Sequence, residues 1–111
     1  MKRIYICGND AMVNDSQHSV ETNKVKKKLE SMRCSVINPP EIQYIDLGWT
    51  DIMETRIKQL KKCQAVYVFP DWRSNIMARI ELTVAMDLKL QTIFHPSSNK
   101  EIRQIITSLG N

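Results

Sequence analysis

Short apolar runs alternate along the chain with longer stretches in which apolar residues recur every three or four positions. The short runs predict four β-strands, at 4–7, 34–37, 65–69 and 92–94. The periodic stretches predict four helices, at about 16–32, 49–60, 75–88 and 97–109. The first helix has Ser16 or Ser19 as its N-cap, and Ser98 with Glu101 forms a capping box at the last one. Gly110 is expected to end that helix.

This alternation of strands and helices predicts a three-layer α/β sandwich, in which helices cover both faces of a parallel sheet of four or five strands. Right-handed crossovers favour a flavodoxin-like order with the first strand in the centre. The segment 41–48 is expected to be an irregular connection. Ligands of such sheets bind at the carboxyl ends of the strands. In this chain those ends are at 7–10, 38–39, 70–72 and His95.

The length of 111 residues fits one domain, spanning 1–111. No apolar run is long enough to cross a membrane, and the run after Met1 is too short for a signal peptide, so a cytoplasmic location is expected. The 16 basic and 12 acidic residues give a net charge of +4. The lysines at 24–28 are flanked by Glu21 and Glu30 and lack interleaved aromatic residues. They favour a solvated helix face, and a nucleic-acid polymer is not an expected partner.

The cysteines and histidines give no sign of a metal site or a disulfide framework. The three cysteines are odd in number and widely spaced, and each lies in or beside an apolar run, which predicts small buried side chains. Cys7 is the one candidate for a reactive thiol, because it ends a strand beside a loop. His18 and His95 are too few and too scattered to bind a metal. His95 either contacts a ligand at the sheet edge or simply belongs to a loop.

The third helix contains an acidic residue on its apolar side. Its predicted core stripe consists of Met77, Ile80, Val84 and Leu88. Met77, Glu81, Val84, Ala85 and Leu88 also follow one another at helical spacing, so Glu81 shares this stripe. A carboxylate that faces the core must be paired or neutralised, and near a ligand crevice it is a candidate nucleophile. The alternative is a position at the margin of the stripe, paired with Arg79 or Lys89 or hydrated.

Several segments, taken in order, match one family. The segment 4–8 is similar to an I-Y-x-x-G strand, and 49–67 to a W-x-x-x-M…L-x-x-C-D-A-V-Y segment. Pro70-x-Trp72 followed by Ala78-x-x-Glu81 is similar to a P-G-W-E-x-S-x-G-A-x-x-E signature. The chain thereby resembles short bacterial and phage proteins related to nucleoside 2-deoxyribosyltransferases, over nearly its whole length.

The resemblance implies the deoxyribosyltransferase fold and a hydrolase or transferase acting at the N-glycosidic bond of a nucleoside or nucleotide. Glu81 matches the nucleophile, Tyr5 the tyrosine that lies against it, and Asp71 a replacement for the general acid. The residues alone leave alternatives, namely ordinary strand packing for Tyr5 and a capping role for Asp71. This mechanism requires no metal or organic cofactor.

Six further positions are expected to contact the substrate, by their place at the carboxyl edge or in the matched signature: Gly8, Asn9, Trp72, Arg73, Asn75 and Met77. Trp72 either stacks on a base or covers the core. Arg73, with Arg79, is placed to meet a phosphate. The resemblance also implies a homo-oligomer, because relatives often complete their pockets across an interface.

Three departures from the family pattern support a different function. No second glycine follows Gly8, Met77 stands where the signature has a glycine, and Arg56 aligns with an acidic residue near the leaving base. A guanidinium cannot act as a general acid near neutral pH. The alternative function is a non-catalytic nucleotide-binding module, and a third is a scaffold that binds no ligand.

Overall fold

The computed structural model describes residues 1–9, 16–39 and 48–109, apart from the side chains of 16–19. The elements in chain order are β1 (Lys2–Cys7), α1 (Ser16–Ser31), β2 (Cys34–Ile37), α2 (Trp49–Leu60), β3 (Ala65–Val68), a 3-10 helix (Pro70–Ser74), α3 (Ile76–Asp87), β4 (Gln91–Phe94) and α4 (Asn99–Ser108). Every predicted strand and helix is present, with ends shifted by a few residues. The 3-10 helix is an addition, in a segment that the sequence pattern assigns to a loop. The side-chain caps proposed at Ser16 and Ser19, the connection at 41–47 and the stop at Gly110 lie outside the described residues.

The four strands form one parallel sheet in the order β2-β1-β3-β4. β1 lies between β2 and β3, pairing Lys2 with Cys34 and Ile4 with Ala65. This arrangement confirms the predicted parallel α/β sheet with strand 1 in the interior. It also brings the ends of β1 and β3 together at the carboxyl edge, because neighbouring parallel strands end on the same side.

The helices cover both faces of the sheet and create two cores. On one face, α1 and α4 pack through Val25, Leu29 and Ile102. On the other face, α2 and α3 pack through Leu60, Ala78, Leu82 and Ala85. All three cysteines are buried thiols without disulfides, as predicted. The described helices include none that combines the length and the apolar character needed to span a membrane.

The predicted core stripe of α3 is right at Glu81 and Ala85, but the observed buried face is rotated away from its other members. The buried residues are Ala78, Glu81, Leu82 and Ala85, whereas Leu88 is 43% exposed. The prediction assigned the core positions mainly to large apolar side chains. Two of the four buried residues are instead alanines, which allow the helix backbone to approach the sheet closely. Glu81 consequently lies at the centre of the buried face, with no exposed surface.

The apolar residues Trp49, Met53, Ile57 and Leu60 recur at helical steps and predict the buried stripe of α2, which differs from the observed one. Its buried residues are Met53, Arg56 and Leu60, while Trp49 at the start of the helix is 51% exposed. The helical steps of three and four are as predicted, but they pass through Arg56 rather than Ile57. On the exposed side, the spacing of Glu54 and Lys58 predicts an i,i+4 ion pair, and the two side chains form it at 3.6 Å.

Candidate functional site

The candidate site is built around three buried polar side chains from three different elements. Tyr5 comes from β1, Arg56 from α2 and Glu81 from α3. Tyr5 and Glu81 are fully buried, and Arg56 is 5% exposed. The family resemblance implied that Tyr5 lies against Glu81, and this contact is present in the fold. Of the two positions considered for Glu81, the core-facing one is observed. The alternative, at the margin of the stripe and paired with Arg79 or Lys89 or hydrated, is not observed, and the carboxylate pairs with Arg56.

The guanidinium of Arg56 binds both carboxylate oxygens of Glu81. Its Nε donates to Oε2 at 3.0 Å, and its Nη2 donates to Oε1 at 3.0 Å. Such two-bond contacts between a guanidinium and a carboxylate are among the strongest hydrogen bonds in proteins. The pairing explains how α3 holds a carboxylate in an apolar core, because the buried charge is neutralised by a guanidinium of matching geometry.

Tyr5 completes this cluster as a hydrogen-bond donor. Its hydroxyl donates to Oε2 of Glu81, and the Nε of Arg56 lies 3.4 Å from the phenol oxygen. Burial raises the pKa of Tyr5 far above its ordinary value, and the Glu81 carboxylate raises it further. The phenol therefore keeps its proton and orients the carboxylate rather than acting as a base.

Met77 contacts the guanidinium of Arg56 on the side of its Nη1 atom. The Nη1 atom of Arg56 lies 3.2 Å from the thioether sulfur of Met77, which is a weak acceptor. Met77 is half-buried and stands where the matched signature has a glycine. The bulky side chain therefore contacts the ion pair instead of leaving open space beside it.

At the carboxyl end of β1, the backbone turns sharply beneath Asp71. Gly8 has a φ of +84°, and a Cβ there would lie 2.6 Å from Oδ1 of Asp71. The same oxygen accepts the backbone N–H of Asn9 at 2.7 Å, and the side chain of Asn9 donates to Thr22 of α1 at 2.7 Å. Asp71 thus fastens the end of β1 to the start of the 3-10 helix. We call this contact the loop clamp; it fits the alternative that the residues alone left open for Asp71, that of a strand-end or capping aspartate.

The remaining positions predicted for the substrate lie along the 3-10 helix and the start of α3. Trp72 is partly buried against the core of α2 and α3, and the guanidinium of Arg73 lies 5.4 Å from its ring centroid. Asn75 is the N-cap of α3, because its Oδ1 accepts the backbone N–H of Ala78 at 3.1 Å. Of the two alternatives for Trp72, the core-covering contact is present in this structure.

Arg79 lies away from the cluster. It lines an open groove of about 450 Å³ on the outer side of α3, together with Ile76, Ile80, Thr83 and Val84. The buried face of α3 points in the opposite direction, toward the sheet. Arg79 is therefore not near the Glu81 carboxylate, and this groove is separate from the candidate site.

A second polar chain lies on the other face of the sheet. Nδ1 of His95 is 2.7 Å from the Tyr67 hydroxyl, and its Nε2 is 2.5 Å from Oε1 of Glu21. Burial raises the pKa of Tyr67 to about 12, so the phenol keeps its proton beside His95. His95 thereby ties α1 to the end of β4, which is more than the simple loop placement considered from sequence. Within the described ranges, no three acidic, histidine or cysteine side chains group in a way that could hold a metal ion.

The residue that sequence reasoning undervalued is Arg56. The family pattern shows Arg56 only as the replacement of an acidic residue and does not show that its side chain lies on the buried face of α2. The available signal was the spacing of Met53, Arg56 and Leu60, which places a cation on the core stripe of one helix. A second charge of opposite sign, Glu81, stands on the core stripe of the next helix. When the buried faces of two consecutive helices carry one cation and one anion respectively, the sequence predicts a buried ion pair between them.

Comparison with known proteins places the chain in a family. The model of the family described as Domain of unknown function (DUF4406) matches residues 2–94. The chain belongs to this family. The match includes all three residues of the buried cluster and ends at the last residue of β4. No curated protein matches the chain.

Two solved structures of deoxyribosyltransferases share the fold of this family member. The 2-desoxiribosyltransferase from Leishmania mexicana is 19% identical with a TM-score of 0.66, over 85% of this chain and 63% of that protein. The 2-deoxyribosyltransferase from Bacillus psychrosaccharolyticus is 14% identical with a TM-score of 0.61, over 83% of this chain and 70% of that protein. The chain thus spans less than two thirds of the length of the Leishmania enzyme. At these identities the similarity establishes the fold.

Proposed function

We propose that this chain is a nucleoside- or nucleotide-binding protein with a deoxyribosyltransferase fold, in which Glu81 serves as half of a buried ion pair. The observation that carries the proposal is the Arg56 guanidinium on both oxygens of Glu81. A nucleophilic carboxylate must present a lone pair to the anomeric carbon. In this arrangement both oxygens are engaged, and the carboxylate has no exposed surface.

The proposed ligand site is the carboxyl edge of β1 and β3. Parallel sheets bind ligands at this edge, close to the point where the strand order reverses, and β1 and β3 flank that point here. Asp71 fixes the end of β1, so the backbone around Gly8 and Asn9 is held in one shape. Trp72 and Arg73 supply an indole and a cation beside it, the groups that suit a base and a phosphate.

A second candidate function is an N-glycosidic hydrolase or transferase, and the contact between Tyr5 and Glu81 favours it. In that reaction an oxygen of Glu81 forms a bond to the anomeric carbon, and the bond to the base breaks with its electron pair leaving on the base. Water or a second base then releases the sugar from Glu81. Arg56 would first have to release the carboxylate, which is the step that separates the two candidates.

The two functions are distinguished by measuring binding and base release together. We would titrate a panel of nucleosides and their 5′-monophosphates by calorimetry, and follow free base by chromatography. The binding proposal predicts saturable binding without base release. Glu81→Gln is expected to be less stable, because Arg56 loses its counter-charge, but to keep that binding in its folded fraction, because the amide still accepts from Tyr5 and fills the same volume. Base release that falls by about a thousandfold or more in Glu81→Gln would establish the enzyme instead.

The two tryptophans of the chain provide a matched control for the location of the ligand. Trp72 lies at the proposed edge, whereas Trp49 is half-exposed at the start of α2. Trp72→Phe is expected to weaken binding by about tenfold, and Trp49→Phe to leave it unchanged. Equal effects of both substitutions, or no binding to any member of the panel, would contradict the proposed site.

A further inference from the structure

A row of basic residues stands at the opposite, amino-terminal edge of the sheet. One or two basic residues begin or closely precede each strand of the sheet. They are Lys2 and Arg3 at the start of β1, Arg33 before β2, Lys61 and Lys62 before β3, and Lys89 before β4. We call these six residues the amino-edge cations. They are scattered through the sequence, at separations of up to 87 positions.

The parallel topology brings these residues to one side of the molecule. Each strand of the sheet starts at the same edge, because every crossover returns the chain to it. Adjacent strands lie about 4.8 Å apart, so four strands form an edge about 14 Å wide. The register supports this placement, since Lys2 pairs with Cys34 directly after Arg33, and Ala65 pairs with Gln91 shortly after Lys89.

The amino-edge cations are available to a partner. Five of them are exposed and Lys2 is partly exposed. Across the described ranges, none of the six lies within 4.0 Å of a carboxylate. Among the residues that the structure describes, the acids at the neighbouring helix ends are Glu30 and Asp87, so cations exceed anions there by six to two. This edge therefore accounts for the positive net charge of the chain better than the candidate site does.

Two buried thiols next to this edge respond to its charge. Burial raises the pKa of Cys34, and Lys2 acts in the opposite direction. Burial likewise raises the pKa of Cys63 to about 11, against an opposing effect of Arg3. Lys2 and Arg3 are therefore close enough to Cys34 and Cys63 to lower the pKa of each thiol. This is consistent with cations clustered at this edge of the sheet.

Two of the cations occupy backbone positions that would suit glycine better. Arg33 has a φ of 63° and Lys89 a φ of 61°, each just after a helix. A left-handed residue at such a helix end is usually glycine or asparagine, and other residues cost about 1 kcal/mol. Long basic side chains therefore stand at both positions in spite of a backbone cost.

We propose that the amino-edge cations bind the phosphate backbone of double-stranded nucleic acid. A duplex presents about one charge per 1.7 Å of its axis, so an edge about 14 Å wide faces several phosphates. The segments that form this edge contain no aromatic residue, at 1–3, 31–34, 61–64 and 88–91, which disfavours the base stacking typical of single-strand binders. The lysines at 24–28, taken alone, do not predict a nucleic-acid partner. We propose one because the sheet topology groups the six amino-edge cations on one surface.

The test is a fluorescence-anisotropy titration of the full chain with a labelled duplex of about 20 base pairs, between about 50 and 200 mM salt. If all six cations contact phosphates, the slope of log affinity against log salt is about −5. The variant Arg33→Gly with Lys89→Gly removes two cations while it relaxes both left-handed positions. We expect it to make the slope shallower by about two and to stay folded, as judged by urea unfolding.

The matched control is Lys100→Ala with Arg103→Ala on α4, which removes the same charge at the other end of the molecule. We expect this control to bind the duplex like the unchanged chain. Equal weakening by the two double variants would mean that net charge alone attracts the duplex, and would overturn the proposal. Absence of saturable binding at low salt, or preference for anionic lipid vesicles over the duplex, would overturn it as well. These outcomes do not depend on the nucleoside site at the opposite edge.

Discussion

Arg56 and Glu81 join α2 to α3 through two hydrogen bonds of 3.0 Å between a guanidinium and a carboxylate, beneath the surface of the protein. They are 25 residues apart in sequence, and each is the charged member of an otherwise apolar buried face. The pair neutralises a carboxylate that the fold would otherwise have to expose. In the function proposed above, this pair is what separates a binding protein from a glycosidase, because it occupies the oxygens on which covalent catalysis would depend.

Removing one member of this pair should destabilise the fold strongly. We expect Arg56→Met to lower the free energy of unfolding by about 3–5 kcal/mol, because Glu81 is left charged in the core. Arg56→Met combined with Glu81→Leu should recover most of the loss, since it replaces two charges with apolar groups. Urea unfolding of the variants measures both effects. A double variant no more stable than Arg56→Met would contradict the interpretation of the pair as an ionic one.

Gly8 should tolerate no side chain. Gly8→Ala places a Cβ 2.6 Å from Oδ1 of Asp71 at a φ of +84°, and the backbone conformation by itself costs about 1–2 kcal/mol. Gly48→Ala is the control, because Gly48 has a φ of −78° and a Cβ there would come no closer than 4.0 Å to Asp51. We expect thermal unfolding to show a clear loss for the first variant and little change for the second.

The role of Asp71 can be tested by two substitutions that differ in one respect. Asp71→Asn keeps a carbonyl oxygen for the backbone N–H of Asn9, whereas Asp71→Ala removes it. If Asp71 is a loop clamp, Asn should preserve stability and ligand binding, and Ala should cost about 1–3 kcal/mol in unfolding free energy. If Asp71 were a general acid, both variants would lose base release alike, because neither the amide nor the methyl group can donate the required proton.

Stability should fall at alkaline pH. Burial raises the pKa of Cys63 from 9.0 to about 11 and that of Tyr67 from 10.0 to about 12. Above about pH 9 the unfolded chain therefore releases protons that the folded chain retains, and stability decreases as pH rises toward 12. Each such group contributes a slope of about 1.4 kcal/mol per pH unit within its window.

The measurement for this prediction is urea unfolding in reducing buffer at several pH values above 8. Cys63→Ala removes one of the titrating groups, so its unfolding free energy should decline less steeply between about pH 9 and 11. Only the slopes are compared, because the alanine also leaves a small cavity. Identical slopes for the two proteins would show that Cys63 does not retain its proton on folding.

Much of the fold follows from the sequence because it depends on local patterns. The apolar run at 65–69 and the capping box at Ser98 and Glu101 each specify an element within a few residues. The alternation of strands and helices then leaves few topologies, because crossovers are right-handed. The sequence also pointed to Tyr5 and Glu81 as neighbours, through a family resemblance rather than through local physics.

Tertiary structure decided the features that depend on which residues from distant elements meet. The partner of Glu81 is Arg56, because the buried face of α2 is set by packing against the sheet and α3, while the sequence pattern fitted Ile57 as well. The amino-edge cations became one surface only when parallel pairing placed four strand starts side by side. Local sequence patterns specify helices and strands. The interaction between two charges depends on their distance in space, so the partners of Glu81 and the grouping of the amino-edge cations were decided by the tertiary structure.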